Sequence, residues 1–259
     1  MTNYRKLSNQ PLCFALAEFR FSSVMDIQSY IPKIQDALRE EYPVLETSAE
    51  QSVQLQPGGV AVSRVEQWMF LSANRKSAVI INQDRLIHCT SEYSRFPGFS
   101  SNCQKALEVL VELVKPGLIL RIGLRYGDLV RIDGGETAAE LVDPDFIYPG
   151  SASALGEPQH KKSETYIATK HGRLAIRSLY GIHNLTYMPD VQNLPLAIAA
   201  DEQASERVVL DFDHFWEAGQ ASTAFNCQDI ISKLDSLHEI SREAFWKVTT
   251  DKARNEKWN

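Results

Sequence analysis

The chain has 259 residues, of which 44% are hydrophobic and 23% are charged. This composition excludes general disorder, because it provides enough apolar side chains to form a large core. The formal net charge of −6 argues against a protein whose main task is to bind the phosphate backbone of DNA or RNA.

The cysteines and the first residues bear on the compartment. Four cysteines are scattered along the chain without a CxxC pair, which favours small buried side chains in a reducing compartment over a disulfide scaffold. Residues 1–10 are polar and lack the apolar stretch of a signal peptide. The apolar runs are far shorter than the ~20 residues of a membrane helix. We therefore expect a cytoplasmic protein that does not enter a membrane.

The first part of the chain alternates between strand and helix patterns. Residues 27–42 carry apolar side chains at helical spacing, and Pro43 ends that helix. Residues 60–91 have the short strands and tight turns of an antiparallel meander. The remaining predictions for this part are a strand over 11–21, a helix over 102–114 and a strand over 118–132.

The second part begins with a stretch rich in proline, glycine and serine, residues 136–162, which we interpret as a connector. A hairpin follows over residues 164–180, then an irregular stretch, a strand over 207–212 and the longest helix over 226–248. We predict an α+β fold in which antiparallel sheets are packed by three main helices. The two halves, residues 1–135 and 136–259, should form one compact unit.

An internal similarity suggests that the two halves repeat one structure. Val79-Ile80-Ile81-Asn82 precedes Asn102-Cys103-Gln104 and a helix, and Val208-Val209-Leu210-Asp211 precedes Asn226-Cys227-Gln228 and another helix. The matching letters are few, so chance coincidence remains an alternative to two similar sheet-plus-helix halves.

Three segments carry a resemblance to known sequences: Pro11-Leu12 with Glu18-Phe19-Arg20-Phe21, the helix end at Tyr42-Pro43, and Arg121-Ile122-Gly123-Leu124-Arg125-Tyr126. Together they resemble a family of uncharacterised, sporadically distributed bacterial proteins of about this length. The resemblance extends to Glu92-Tyr93 and to residues 208–248. After Tyr126 that family continues with a hydrophobic residue, Asn and Arg, whereas this chain has Gly127-Asp128-Leu129. The resemblance brings no activity, but the patchy occurrence of the family implies accessory genes such as toxin–antitoxin or phage-defence loci.

Four charged residues are candidates for a ligand site: Glu18, Arg20, Arg121 and Arg125. Arg121 and Arg125 share one face of a strand, because side chains alternate along it. If the two strands are neighbours, Glu18 can pair with one of these arginines. One interpretation is a structural ion-pair cluster; the other is a groove that binds anions or carboxylates through the arginine forks.

Neither metal nor covalent chemistry has a strong pattern. Asp211 and Asp213 share a strand face while His214 lies on the other, which is a poor ligand set for zinc or calcium. His88 and Cys89 are adjacent in a strand and point to opposite faces, so they cannot act as a base and its nucleophile. We predict no metal site, no cofactor and no catalytic residues.

Binding to a partner protein has two candidate regions. His160, Lys161, Lys162, His171 and Arg173 form the local basic cluster of the sequence, on the connector and at a hairpin tip. They could meet an acidic partner or a phosphate, or form a solvated loop. The aromatic pair Phe215 and Trp216 is a candidate interface anchor.

The leading hypothesis is a non-enzymatic binding or regulatory protein that acts through protein–protein contact, with a homodimer as one form. The alternative is a small-molecule-binding protein or hydrolase with an anion-binding pocket between sheet and long helix, using Arg121, Arg125 and Glu18. Nucleic-acid binding through residues 160–173 ranks lowest because of the acidic balance.

Overall fold

Nine antiparallel strands form one continuous sheet in the computed structural model of the chain. The structure describes residues 4–56, 59–148, 150–156, 158–191, 193–219 and 222–259, with the side chains of all but 50–56, 59–64 and 153. The strands are β1 (Leu12–Phe21), β2 (Val44–Gln56), β3 (Gly59–Leu71), β4 (Ser77–Asn82), β5 (Arg85–Thr90), β6 (Ile119–Arg131), β7 (His160–Thr169), β8 (Gly172–His183) and β9 (Ser205–Glu217).

The α-helices are α1 (Ile31–Leu38), α2 (Phe96–Leu113), α3 (Ala138–Leu141) and α4 (Cys227–Val248). The described residues also form four 3-10 turns (Ile27–Tyr30, Pro144–Phe146, Gly150–Leu155 and Pro189–Val191) and a π-helical turn (Ala253–Lys257). The predicted α+β class with three main helices is thus confirmed. Among the described residues, no helix combines the length and the apolar character that crossing a membrane requires.

The core lies between one face of the sheet and the helices. On β1, Ala17, Phe19 and Phe21 are fully buried on this face, while Glu18 and Arg20 point to the other, as alternation predicts. Full burial of a phenylalanine contributes roughly 1.5–3 kcal/mol, so these strands are held firmly against the helices. Helix α4 packs on β6, β9 and α2.

The strand order shows a repeat. Reading inward from β3, the order is β3-β4-β5-β1, and reading inward from β7 it is β7-β8-β9-β6. Each unit therefore begins with an inner strand, β1 or β6. A three-strand meander follows, β3–β5 or β7–β9, and its last strand pairs with the inner strand. A long helix, α2 or α4, ends the unit. The first unit ends with α2 and the second begins with β6, so β1 and β6 pair along the seam between them. The boundary predicted from the sequence, after residue 135, had instead placed β6 in the first half.

The internal sequence similarity aligned two strands that are not equivalent in the structural repeat. Val79 lies on β4 and Val208 on β9, whereas the topological counterpart of β9 is β5. Asn226 does cap α4, but Asn102 lies inside α2, which begins six residues earlier than predicted. Pro97 falls in the first turn of α2, where a proline is tolerated because the N–H it lacks has no helical partner there.

Other predicted elements differ in detail. The helix predicted over 27–42 is a 3-10 turn followed by α1, which ends at Leu38. The connector contains α3 and two 3-10 turns, and β7 already begins within it. Cys89 and Cys103 are buried as expected, whereas Cys13 and Cys227 are only half-buried.

The irregular stretch between β8 and β9 covers part of the sheet face opposite the helices. We call residues 184–191 and 193–204 the strap. Leu194 and Leu196 pack beside Leu71 and Cys89, and Met188 packs against Leu129. The two faces of the sheet are therefore different: one carries the helices, and the other carries the strap and charged side chains.

Candidate functional site

The predicted charged cluster forms on the strap face of the sheet. Glu18 receives hydrogen bonds from Arg20 Nε at 2.8 Å and from Arg121 Nη1 at 2.5 Å. Arg85 Nε lies 3.5 Å from the other carboxylate oxygen. Burial acts to raise the pKa of Glu18, but the three arginines outweigh it and hold that pKa below its usual value. The expected pairing of Glu18 with a β6 arginine is therefore present.

Arg125 belongs to a second network on the same face. Its Nε donates to Asp211 at 2.6 Å, and its Nη2 donates to Asp190 of the strap at 2.9 Å. Arg177 Nη1 donates to the other oxygen of Asp211 at 2.8 Å. The arginine forks are thus occupied by carboxylates of the chain itself, which fits the structural ion-pair interpretation of this cluster.

The basic residues that are close in sequence are not close in space. His160, Lys161 and Lys162 open β7, whereas His171 and Arg173 lie at its far end. The rise of a strand separates the two groups by on the order of 25 Å. Lys161 is also tied down, because its Nζ donates to the carbonyls of Asp145 and Tyr148. These residues do not form one patch.

Phe215 and Trp216 point to opposite faces of the sheet. The guanidinium of Arg121 lies 4.4 Å from the ring centroid of Phe215 on the strap face. Trp216 is half-buried and packs against the core on the helix side, with Lys233 Nζ 5.5 Å from its ring. Both rings are used inside the chain and do not form a joint anchor.

Metal-ligand types do not converge in the part of the chain that the structure describes. His214 is buried on the helix side, and its ring nitrogens contact Thr169 Oγ1 at 2.9 Å and the carbonyl of Leu237 at 3.0 Å. Asp213 faces Arg177 and Arg121 on the opposite side. Asp213 and His214 therefore lie on opposite faces of the sheet.

A cavity of about 320 Å³ lies elsewhere, on the helix side of the sheet at one end of the seam. Both units contribute to it. The first supplies Leu12 of β1 and residues 93–97 at the start of α2; the second supplies parts of β6, β9 and α4. An N-terminal segment, residues 4–10, runs along its margin. None of Glu18, Arg20, Arg121 and Arg125 lines it.

The walls of the cavity are largely aromatic. Two of these rings, Phe96 and His238, stack in parallel with centroids 3.8 Å apart. Tyr93 meets Tyr126 edge to face at 5.7 Å, and Tyr4 meets Trp246 in the same way at 5.1 Å. The rings that line the space are Tyr4, Tyr93, Phe96, Tyr126, Phe212, His238, Phe245 and Trp246.

The floor of the cavity carries a buried carboxyl group. Asp128 of β6 lines the space, and only 3% of the residue is exposed. Among the described residues, its carboxyl group has no hydrogen-bond or ion-pair partner. Burial, and to a lesser degree the charge of Asp211, raises the pKa of Asp128 to about 8. Because this carboxyl group faces the cavity without a partner from the chain, a ligand in the cavity can supply its hydrogen-bond partner.

Next to this acid, Tyr126 and His238 form a polar contact. The hydroxyl of Tyr126 lies 2.9 Å from Nδ1 of His238. Burial, with the nearby charge of Arg242, lowers the pKa of His238 to about 3, so the ring is neutral at pH 7. A neutral imidazole can accept a hydrogen bond from the Tyr126 hydroxyl at Nδ1 and keep its Nε2–H as a donor.

Four cations surround the cavity: Arg5, Lys6, Arg95 and Arg242. None of them makes an ion pair within the described part of the chain. Arg5 donates to the carbonyl of Arg254, and the guanidinium of Arg242 lies 4.5 Å from the ring of Tyr4. The Nε of Arg242 is buried without a partner. In a protein of net charge −6, this is a local positive field beside an apolar space.

This site has no contiguous signature in the sequence, because its residues come from five distant segments. Arg5 and Lys6 lie near the start, Arg95 before α2, and Arg242 within α4. Asp128 stood out only as a departure from the family pattern. An acid on the core face of a central strand was the available signal, because such a residue is rarely buried without a reason.

No family model matches the chain, and no curated protein matches it significantly. The resemblance to the sporadically distributed bacterial family stays a prediction.

Proposed function

We propose that this protein binds a small organic anion in the cavity at the seam. The observation that carries the proposal is the set of four cations without ion pairs, Arg5, Lys6, Arg95 and Arg242, around a space lined by aromatic rings. The positive end of the α2 dipole lies at the same margin, because residues 94–97 border the cavity. An anion with an apolar body would pair with the cations and bury its body among the rings.

The sequence also suggested an anion-binding pocket, but with Arg121, Arg125 and Glu18. The proposed site is on the other face of the sheet. The arginines of the strap face already hold carboxylates, so a ligand there would have to displace Asp190 or Asp211. The cations of the cavity have no such competitor. The volume of about 320 Å³ lies at the lower end of the roughly 300–1,000 Å³ of small-molecule sites.

The test is calorimetric titration of the full chain with 1-naphthyl phosphate, an aromatic anion. We expect saturable binding that weakens as salt is added. Arg242→Met should weaken it at least tenfold, because the variant keeps the apolar stem and removes the charge. The matched control is Lys33→Gln, which removes an exposed cation that does not line the cavity. Absence of saturable binding, or equal loss in both variants, would refute the proposal.

A second candidate function, contact with a partner protein, has support at the sheet edge. Strand β7 pairs only with β8, so its outer side has no strand partner among the described residues. Tyr166 and Ile167 on this strand are 55% and 42% exposed. An extended segment of a partner can add to such an edge through main-chain hydrogen bonds.

Native mass spectrometry of the protein isolated from its host tests this second candidate. A partner mass on the wild type that is lost with Ile167→Lys, because a charge blunts a strand edge, would support it. Met25→Ser serves as the control, since Met25 is an exposed apolar side chain outside the strands. A partner retained by both variants would place the contact elsewhere.

A further inference from the structure

The distribution of polar groups within the cavity describes its ligand more closely. Arg5, Lys6 and Arg95 are exposed, so they stand at the rim. Asp128 and Tyr126 are buried, with 3% and 8% of each residue exposed, so they form the floor. A molecule that satisfies both ends carries its negative charge at one end and a neutral hydrogen-bonding group at the other.

The space between rim and floor selects for a flat body. Phe96 and His238 already stack in parallel, and Tyr93 and Tyr126 present ring edges and faces beside them. Aromatic side chains bind planar ring systems by stacking, and such stacking accepts nucleobases of different kinds because each base has a flat face. An aliphatic chain would fill the same space without using the ring geometry.

The carboxyl group of Asp128 defines the group at the inner end. Its pKa of about 8 keeps it mainly protonated at neutral pH, so it offers one O–H donor and one carbonyl acceptor side by side. A nitrogen heterocycle with an acceptor next to a donor, such as the amino-substituted edge of a nucleobase, matches this pair. Proteins that hold a single base read it by stacking and by hydrogen bonds to such an edge.

We infer that the cavity takes a nucleoside monophosphate, with the base stacked among the rings, its hydrogen-bonding edge on Asp128, and the phosphate at Arg5, Lys6, Arg95 and Arg242. This inference rests on the proposed function and names the ligand class for the same site. Asp128 is then a specificity-determining residue, and the cations supply affinity for any aromatic phosphate.

The experiment compares three probes on the full chain by calorimetry. Adenosine 5′-monophosphate has base and phosphate, 1-naphthyl phosphate has a flat body without ring nitrogens, and ribose 5-phosphate has no base. We expect adenosine monophosphate to bind at least tenfold more tightly than either of the others. Asp128→Leu should remove this preference, so that adenosine monophosphate binds the variant no more tightly than 1-naphthyl phosphate does. Asp128→Asn should keep part of it, because the amide still offers a donor and an acceptor.

The outcomes separate the two proposals. If 1-naphthyl phosphate or ribose 5-phosphate binds the wild type as tightly as the nucleotide, the base is not read and the inference fails, while anion binding stands. If Asp128→Leu weakens all three probes equally, Asp128 supports the site without selecting the ligand, and the inference also fails. If no probe binds, the proposed function itself fails. The wild-type comparison decides the matter even if Asp128→Leu does not fold.

Discussion

The hydroxyl of Tyr126 and Nδ1 of His238 are 2.9 Å apart, and this contact joins β6 to α4 at the cavity. It holds the imidazole in a fixed orientation against Phe96. The long helix is therefore attached to the sheet by a polar contact at the point where the core is hollow.

The pH dependence of stability should carry the signature of Asp128. Its pKa is about 8 in the folded chain against an ordinary value of 3.8. Between these values the folded state binds more protons than the unfolded state, so the free energy of unfolding falls as pH rises. The penalty is absent below about pH 4, grows with pH and levels off above about pH 8. The steepest slope that one proton allows is about 1.4 kcal/mol per pH unit.

Denaturant unfolding of the wild type and Asp128→Asn from pH 4.5 to 8.5 checks this prediction. The variant should be more stable at pH 8, and the difference should shrink on acidification. An equal pH slope in both proteins would mean that Asp128 is paired in solution.

The His238 ring should remain neutral well below the usual pKa of histidine. Burial and then Arg242 lower its pKa to about 3, so NMR of labelled histidine side chains should show a neutral ring at pH 5. The unfolded chain protonates this ring near pH 6.5, so stability falls as pH drops from 6.5 towards 3. Arg242→Met should raise the pKa of His238. A ring that titrates near pH 6.5 in the wild type would contradict the buried geometry.

Glu18 should stabilise the fold and take no part in ligand binding. Glu18→Gln leaves Arg20, Arg85 and Arg121 without their shared carboxylate, and we expect a loss of roughly 3 kcal/mol, the lower end for breaking a buried pair, since Arg20 reaches solvent. Affinity for 1-naphthyl phosphate should be unchanged. Glu92→Gln, which breaks the exposed pair with Lys76, should affect unfolding far less. If Glu18→Gln abolished ligand binding and Glu92→Gln did not, the ligand site would lie on the strap face.

Replacing Asn226 or Asn102 by alanine should have different effects on the free energy of unfolding. The side chain of Asn226 accepts a hydrogen bond from the Asp229 backbone at 3.1 Å and caps α4, so Asn226→Ala should cost about 1 kcal/mol. Asn102 lies within α2, where alanine has the higher helix propensity, so Asn102→Ala should be neutral or slightly stabilising. Chemical denaturation measures both. Equal costs would mean that α2 begins near Asn102 after all.

The sequence predicted the elements whose signals are local. The apolar helical stripe located α4 to within one residue of its start. The alternation along β1 placed Glu18 and Arg20 on one face, and the pairing with Arg121 followed once β1 and β6 were neighbours. The start of α2 was missed because Pro97 and Gly98 interrupt the pattern, although a proline belongs naturally in a first turn. The cavity could not be predicted, because its cations become neighbours only when β6 meets β1 and α4 crosses the sheet.

The repeat described for the strands gives the seam two ends, and they have different contents. At the end opposite the cavity, Phe21 from β1 and Phe225 before α4 pack edge to face with centroids 6.3 Å apart. At the cavity end, the corresponding places near the end of β6 and just before α2 hold Asp128 and Arg95. One end of the seam is thus filled by aromatic side chains, while the other end encloses a cavity with a carboxyl group in its floor and cations around it. Each unit alone holds half of the binding surface, so occupancy by a ligand would report directly on whether the two units are joined.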